Sequence, residues 1–145
     1  MKSEILKQQL MDQVLRFATG RIERARAAQV DAFIQQFYAN VPVGDIAQEP
    51  PEDLFCAALS LWQFAAKRQP GKPKLRVFNP RQDEHGWRSP HTIVEIVNDD
   101  MPFLVDSVTA ELGRLGLDVH LVVHPIMRVS RDAAGQMTEL GQESA

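Results

Sequence analysis

The most suggestive polar cluster in the sequence is Asn98-Asp99-Asp100, set between an apolar run at residues 92–97 and a helical pattern that begins beyond Pro102. Free N–H groups at a helix start can receive the carboxylate of a small ligand, and the neighbouring aspartates could take its amine. The plainer reading is a solvated turn in which Asp100 caps the helix. Other reactive types are poorly arranged. His120 and His124, on one face of an extended chain, would stand about 13 Å apart at roughly 3.3 Å per residue, too far to share a metal ion. His85 and His91 flank the turn at Gly86-Trp87, and a loop role suits both. Asp106-Ser107 has no histidine spaced to complete a triad. The single cysteine, Cys56, lies between Phe55 and Ala57 and reads as a buried small side chain.

Nucleotide motifs are absent. No Gly-x-Gly occurs, and around Gly71-Lys72 a phosphate loop would need glycine at Ala66 and Ser or Thr at Pro73. Arg21, Arg24 and Arg26 are interrupted by Glu23, and 16 basic against 19 acidic residues leave a net charge of −3. That balance speaks against a nucleic-acid partner held by phosphate neutralisation, so the arginines read as a solvated helix face. The start of the chain has no signal-peptide pattern. The longest apolar run, residues 54–66, is too short for a membrane span. A cytoplasmic protein is expected, with no membrane partner.

The elements that must position these groups follow from periodicity. Leu6, Leu10, Val14 and Phe17 recur at helical spacing after Ser3, and Ile22, Ala25, Val30, Phe33, Ile34 and Phe37 form a second stripe that stops at Asn40-Val41-Pro42. Gly20, between them, is either a turn or a weak point. A third helix starts with Pro51 in its first turn, where a missing N–H costs little, and Glu52 and Asp53 suit the helix dipole. Its wide apolar surface, from Leu54 and Phe55 to Trp62 and Ala65, should pack on both other helices. Prolines at 70, 73, 80 and 90 then change the texture. The expected organisation is a helical segment at 1–69, a proline-rich connector at 70–90 and an α+β module at 91–145. Within the connector, Leu75-Arg76-Val77-Phe78 can form a short strand, while Asn79-Pro80 and His85-Gly86 mark turns.

The run 92–97 is β-branched and nearly all apolar, as a central strand covered on both faces would be. A helix follows, capped by Asp100, with Leu104, Val105, Val108, Leu112 and Leu115 at helical spacing up to Gly116. Leu117 opens a second strand, with Val119, Leu121 and Val123 on one face and Asp118, His120 and His124 on the other. It can run past Pro125 to Ser130, Pro125 suggesting an edge or a bulge. Arg131-Asp132-Ala133-Ala134-Gly135 has hairpin chemistry, and a further strand begins near Gln136. Strand, helix, strand, hairpin, strand is the first half of a ferredoxin-like plan. The fold class is α+β: N-terminal helices followed by a partial β-α-β-β unit.

Two stretches, Arg76-Val77-Phe78-Asn79-Pro80 and the long run from His91 through Asn98-Asp99-Asp100-Met101-Pro102-Phe103 to Val108, resemble the N-terminal region of the large bacterial NAD-specific glutamate dehydrogenases. Gly116-Leu117-Asp118-Val119-His120-Leu121-Val122-Val123-His124-Pro125 continues the likeness, as does Ala57-Ala58-Leu59-Ser60-Leu61-Trp62. The resemblance spans roughly residues 41–135 and is weaker over the first two helices. It implies a terminal piece of a much longer polypeptide, in which helices lead into an ACT-like module and the catalytic domain lies elsewhere. Such a dehydrogenase uses NAD to convert glutamate to 2-oxoglutarate and ammonia. Its nucleotide fold and catalytic lysines would lie beyond Ala145, so no catalytic, cofactor-binding or metal residue is assigned here. The piece alone is expected to be inactive.

ACT modules commonly read Asp-x-Pro-Gly-Leu-Leu at the first strand-to-helix turn, where ligands and partner subunits meet. Asp100-Met101-Pro102-Phe103-Leu104-Val105 keeps the Asp, Pro and Leu but places Phe103 at the glycine. A benzyl group there obstructs a ligand's approach to the backbone and favours packing or interdomain contact. The candidate effector or interdomain residues are thus Asn98, Asp99, Asp100 and Phe103. The function expected is a noncatalytic regulatory or assembly segment, its partners being the remaining domains of the same polypeptide. The alternatives are an amino-acid-sensing module, in which Asp99 and Asp100 hold an effector's amine, and a stand-alone dimerisation adaptor. Without the second helix and last strand of the plan, residues 93–97 have an edge to fill: Leu75 to Phe78 pairs there, or another chain does. A homo-oligomer is expected.

Overall fold

The computed structural model describes residues 2–141, which form six helices and two small antiparallel sheets, an α+β architecture. Helices α1 (Lys2–Arg16), α2 (Arg24–Tyr38) and α4 (Pro51–Ala65) make the helical body, with the one-turn α3 (Val43–Ile46) between α2 and α4. Gly20 is a turn: its φ of +81° carries the chain from α1 towards α2. The core is built from the stripes that define the helices. Met11 and Val14 of α1, Val30, Phe33, Ile34 and Phe37 of α2, and Leu54, Phe55 and Ala58 of α4 are buried together. α4 packs on both other long helices, Phe55 lying 6.4 Å from Phe17 and Trp62 5.1 Å from Phe33, between ring centres.

Polar groups fix the helix ends. Buried Tyr38, the last residue of α2, donates its hydroxyl to the Leu54 carbonyl at 2.6 Å, tying α2 to the first turn of α4. Lys7 of α1 donates to the carbonyls of Tyr38 and Val41, placing a cation at the C-terminal end of α2, where the helix dipole favours it. The helix α3 was not anticipated. It lies in the proline- and glycine-containing loop before α4, and it is held by Ile46, which is fully buried.

Strand β1 (Lys74–Phe78) pairs antiparallel with β2 (Ile93–Val97), Arg76 opposite Glu95, so β1 takes the edge that needed a partner. The single-turn α5 (Gln82–His85) lies between them and ends at Gly86, whose φ is +80°. Strand β2 is not the two-sided central strand expected. Lys74, Arg76 and Glu95 face α4, while Leu75, Val77 and Val94 on the other face are exposed. A run of aliphatic residues cannot reveal which of its faces is covered.

Helix α6 (Leu104–Arg114) also starts differently. Asp100 does not cap it; Phe103 occupies the preceding position with φ 64° and ψ 10°, and its carbonyl accepts from Ser107 N–H at 2.8 Å. A turn at Pro102 and Phe103 stands between Asp100 and the helix, so the capping position falls three residues beyond the aspartate. Residues 117–128 are not a strand either. Val123 and Met127 pack against the helical core and no ladder forms until β3 (Val129–Arg131), which pairs with β4 (Met137–Leu140). The hairpin turn is as expected: Gly135 has φ +86°, and Asp132 Oδ1 accepts from the N–H groups of Ala134 and Gln136.

Candidate functional site

The Asn98-Asp99-Asp100 turn lies at the end of β2, where the chain leaves the ribbon for α6. Asp99 Oδ1 accepts from Arg68 Nη1 at 2.9 Å. The Arg68 guanidinium holds the Asp99 carboxyl below the usual carboxylate range. The arginine is the anchored partner, its side chain 10% exposed against 71% for Asp99. Arg68 Nε donates to the Lys72 carbonyl at 2.7 Å, and its backbone N–H donates to Gly135 at 2.9 Å. Its remaining Nη2 is buried, with no hydrogen-bond acceptor among the described residues.

Arg68 sits just beyond α4, and the sequence here adheres to the distant hairpin. Met137 N–H donates to the Ala66 carbonyl at 2.7 Å, and Lys67 bridges Gln136. Arg131 donates to the Gly135 carbonyl at 3.0 Å; burial, then the Arg68 charge, pushes its pKa down. Lys74 is lowered likewise by burial, then by Arg131, Arg76 and Lys67. Asp99 thus closes a cationic joint where α4, β1 and the hairpin converge. A ligand's amine at Asp99 would share the carboxylate with the Arg68 guanidinium, whose positive charge disfavours a second cation there.

Asp100 is exposed and Asn98 half-buried, with no side-chain hydrogen bond recorded for either among the described residues. Phe103 is 75% exposed. It adopts the left-handed conformation that a glycine takes readily, at a cost of roughly 1–2 kcal/mol for a residue with a Cβ. The structure therefore places one aspartate in an ion pair, the other in solvent and the aromatic ring outward. Below them, the ribbon is stapled to α4 by a closed triangle: Arg76 Nε donates to Glu95 at 2.5 Å, Ser60 Oγ donates to Glu95 at 2.9 Å, and Arg76 donates to Ser60 at 2.9 Å. Arg76 also lies over the Phe64 and Phe78 rings. Sequence reasoning missed Arg68, Arg76, Ser60 and Glu95. The available signal was Glu95 itself, a charge inside an aliphatic strand.

The histidines separate. His85 lies tilted against Phe78, 4.8 Å between ring centres, and accepts from the Arg81 N–H, while His91 meets His120 at 4.2 Å between ring centres. Among the described residues no group of three or more His, Cys, Asp or Glu side chains could hold a metal ion. Cys56 is half-buried, not fully enclosed as expected, and lies 3.9 Å from Arg21. No helix of the described chain is long and apolar enough to cross a membrane. Two clefts, of about 400 and 180 Å³, lie along residues 119–125 beside α3 and the end of α2, away from the aspartate turn.

Helices feeding an α+β unit whose strand-to-helix turn carries Asp-Met-Pro-Phe define a domain of the ACT class attached to a helical lead. Residues 33–145 match the family model described as glutamate dehydrogenase, ACT1 domain, and the chain belongs to that family. It is similar to the NAD-specific glutamate dehydrogenase of Halomonas elongata, 44% identical over 123 residues, covering 85% of this chain and 8% of that protein. It is also similar to the NAD-specific glutamate dehydrogenase of Pseudomonas aeruginosa, 38% identical over 112 residues, 77% of this chain and 7% of that protein. No solved structure matches. The chain thus spans less than a tenth of the length of these relatives.

Proposed function

We propose that this chain is a noncatalytic regulatory and assembly segment of an NAD-dependent glutamate dehydrogenase that works in the cytoplasm. The parent polypeptide would oxidise L-glutamate to 2-oxoglutarate and ammonia with NAD, using residues outside this chain. The reading is carried by the match of residues 33–145 to the ACT1 domain, found in relatives that extend far beyond the matched region. Asn98, Asp99, Asp100 and Phe103 would meet a neighbouring domain rather than a free amino acid. The Arg68 contact of Asp99 and the outward ring of Phe103 support that choice over an effector pocket.

The test uses the whole polypeptide that contains this chain. Phe103→Asp should leave glutamate-dependent NADH formation by the catalytic part intact while changing the assembly state or the response to effectors. NADH formation by the 145-residue chain alone would overturn the reading. So would a deletion of residues 1–145 that altered neither assembly nor regulation.

A further inference from the structure

Arg68 is an enclosed guanidinium with an incomplete set of partners. Its side chain is 10% exposed, Nε is spent on the Lys72 carbonyl and Nη1 on Asp99, and the buried Nη2 has no acceptor among the described residues. Leaving a buried donor unsatisfied is costly, and a guanidinium can give two parallel hydrogen bonds to two oxygens of one group. Asp99 takes only one of them. Its carboxylate is 71% exposed, and an ion pair with one partner largely in water is a weak one.

The charge around Arg68 is also unbalanced. Arg131 reaches in from the hairpin, its Nη1 donating to the same Gly135 carbonyl that receives the Arg68 backbone N–H. Lys67 precedes Arg68 in the chain, and Lys74 donates to the Phe64 and Lys67 carbonyls. Glu95 neutralises Arg76, and Asp132 spends an oxygen on the hairpin N–H groups of Ala134 and Gln136. Among the described residues, Asp99 is thus the only carboxylate paired with any of Arg68, Arg131, Lys67 and Lys74.

We propose that this joint receives a phosphate-type oxyanion, which takes both Nη1 and Nη2 of Arg68 with Arg131 at its side, as the Asp99 carboxylate turns out into solvent. The place that Asp99 leaves is the one from which two oxygens of a single group reach both nitrogens of the fork. A doubly charged group suits several neighbouring cations better than a single carboxylate, and an ammonium is disfavoured there, so the ligand is the opposite of the amine considered for Asp99. Because the Arg68 backbone N–H also ties the hairpin to the end of α4, filling the site tightens that joint. The proposal does not depend on the assembly reading.

The test is calorimetric titration of the chain with inorganic phosphate at fixed ionic strength, with circular dichroism to check that each variant is folded. One phosphate should bind per chain with millimolar affinity and raise Tm. Arg68→Lys, which keeps the charge and loses the fork, should weaken binding about tenfold, and so should Arg131→Gln. Asp99→Asn should do the reverse and tighten binding about threefold, because the competing carboxylate is gone. An ion pair with a structural role alone would show no such opposition of signs, since losing either partner would cost stability and phosphate would bind neither variant. Acetate should bind weakly and methylammonium not at all. Methyl phosphate separates the two sources of the group: binding equal to that of inorganic phosphate assigns the site to a phosphate ester, and its exclusion assigns it to the free anion. No saturable phosphate binding by the native chain or by Asp99→Asn overturns the proposal, as does binding that Arg68→Lys and Arg131→Gln leave unchanged.

Discussion

Glu95 and Arg76 stand opposite each other in the β1–β2 ribbon and are joined at 2.5 Å on the face that meets α4. Glu95 is 5% exposed and the Arg76 side chain 36%. That asymmetry sets the first expectation. Arg76→Ala leaves a carboxylate enclosed with only Ser60 to satisfy it, and should cost about 2–3 kcal/mol, the low end for a broken buried pair because water reaches one partner. Glu95→Ala should cost less, since the arginine can turn to solvent. Urea unfolding of the two variants checks the order.

Phe103→Gly should stabilise the chain. The phenyl ring is 75% exposed, so little packing is lost, and φ 64° suits glycine. Relief of roughly 1–2 kcal/mol of backbone strain is partly offset by the greater freedom of glycine in the unfolded chain, leaving a gain of about 0.5–1 kcal/mol. A rise in Tm confirms it. A fall would mean that the ring makes contacts worth more than its strain.

Gly135 and Gly86 have nearly the same φ, +86° and +80°, in different surroundings. A Cβ at Gly135 would sit 2.2 Å from the Arg68 carbonyl oxygen, while one at Gly86 meets nothing within 4 Å. Gly86→Ala should therefore cost only the left-handed penalty of about 1 kcal/mol. Gly135→Ala must also push the hairpin off the end of α4, breaking the Arg68 and Met137 hydrogen bonds, and should cost more than about 2 kcal/mol. Thermal unfolding of both variants separates the terms.

Much of this architecture was legible. The three long helices and their mutual packing followed from the stripes around Val14, Phe33 and Phe55, because helical periodicity over four turns has few alternatives. The hairpin followed from Gly135. The short α3 and α5 did not, since one turn gives no period to read. The aspartate turn was visible as a cluster, but its partner Arg68 lies 31 positions away and is aimed by tertiary packing. Local pattern also misled at Asp100, which has the chemistry of a cap in a place where the backbone turns once more before α6 begins. In residues 117–123 the alternation is real, yet a strand also needs a neighbour, and the inward side chains of Val123 and Met127 found the helical core instead.

The Asp99 carboxyl, held down by Arg68, gives a pH dependence of definite sign. A carboxylate whose folded pKa is depressed contributes its stability above the unfolded value, near 3.9, and loses it as pH falls through the lower folded value. Asp99→Asn should thus flatten the acid limb of the stability curve below about pH 4, with little change in its shape near neutrality. Urea midpoints across the acid range check this. An unchanged acid limb would mean that the Arg68 contact does not persist in solution.

Cys56 should be a slow thiol. Burial pushes its pKa up, Arg21 at 3.9 Å pulls it part of the way back, and the Glu52 and Asp53 charges raise it again. Because the thiolate is the reactive form, alkylation at pH 8 should run well below the rate of an unstructured cysteine peptide and rise with pH into the alkaline range. Arg21→Ala removes the cation that favours the thiolate and should slow the reaction further in the folded chain. A faster reaction in that variant would instead report opening of the α1–α4 contact that Arg21, lying over Phe17 and Phe55 and paired with Glu52, helps to close. Measuring both rates in urea, where burial is lost and the two proteins should converge, distinguishes a shift in pKa from a loss of structure.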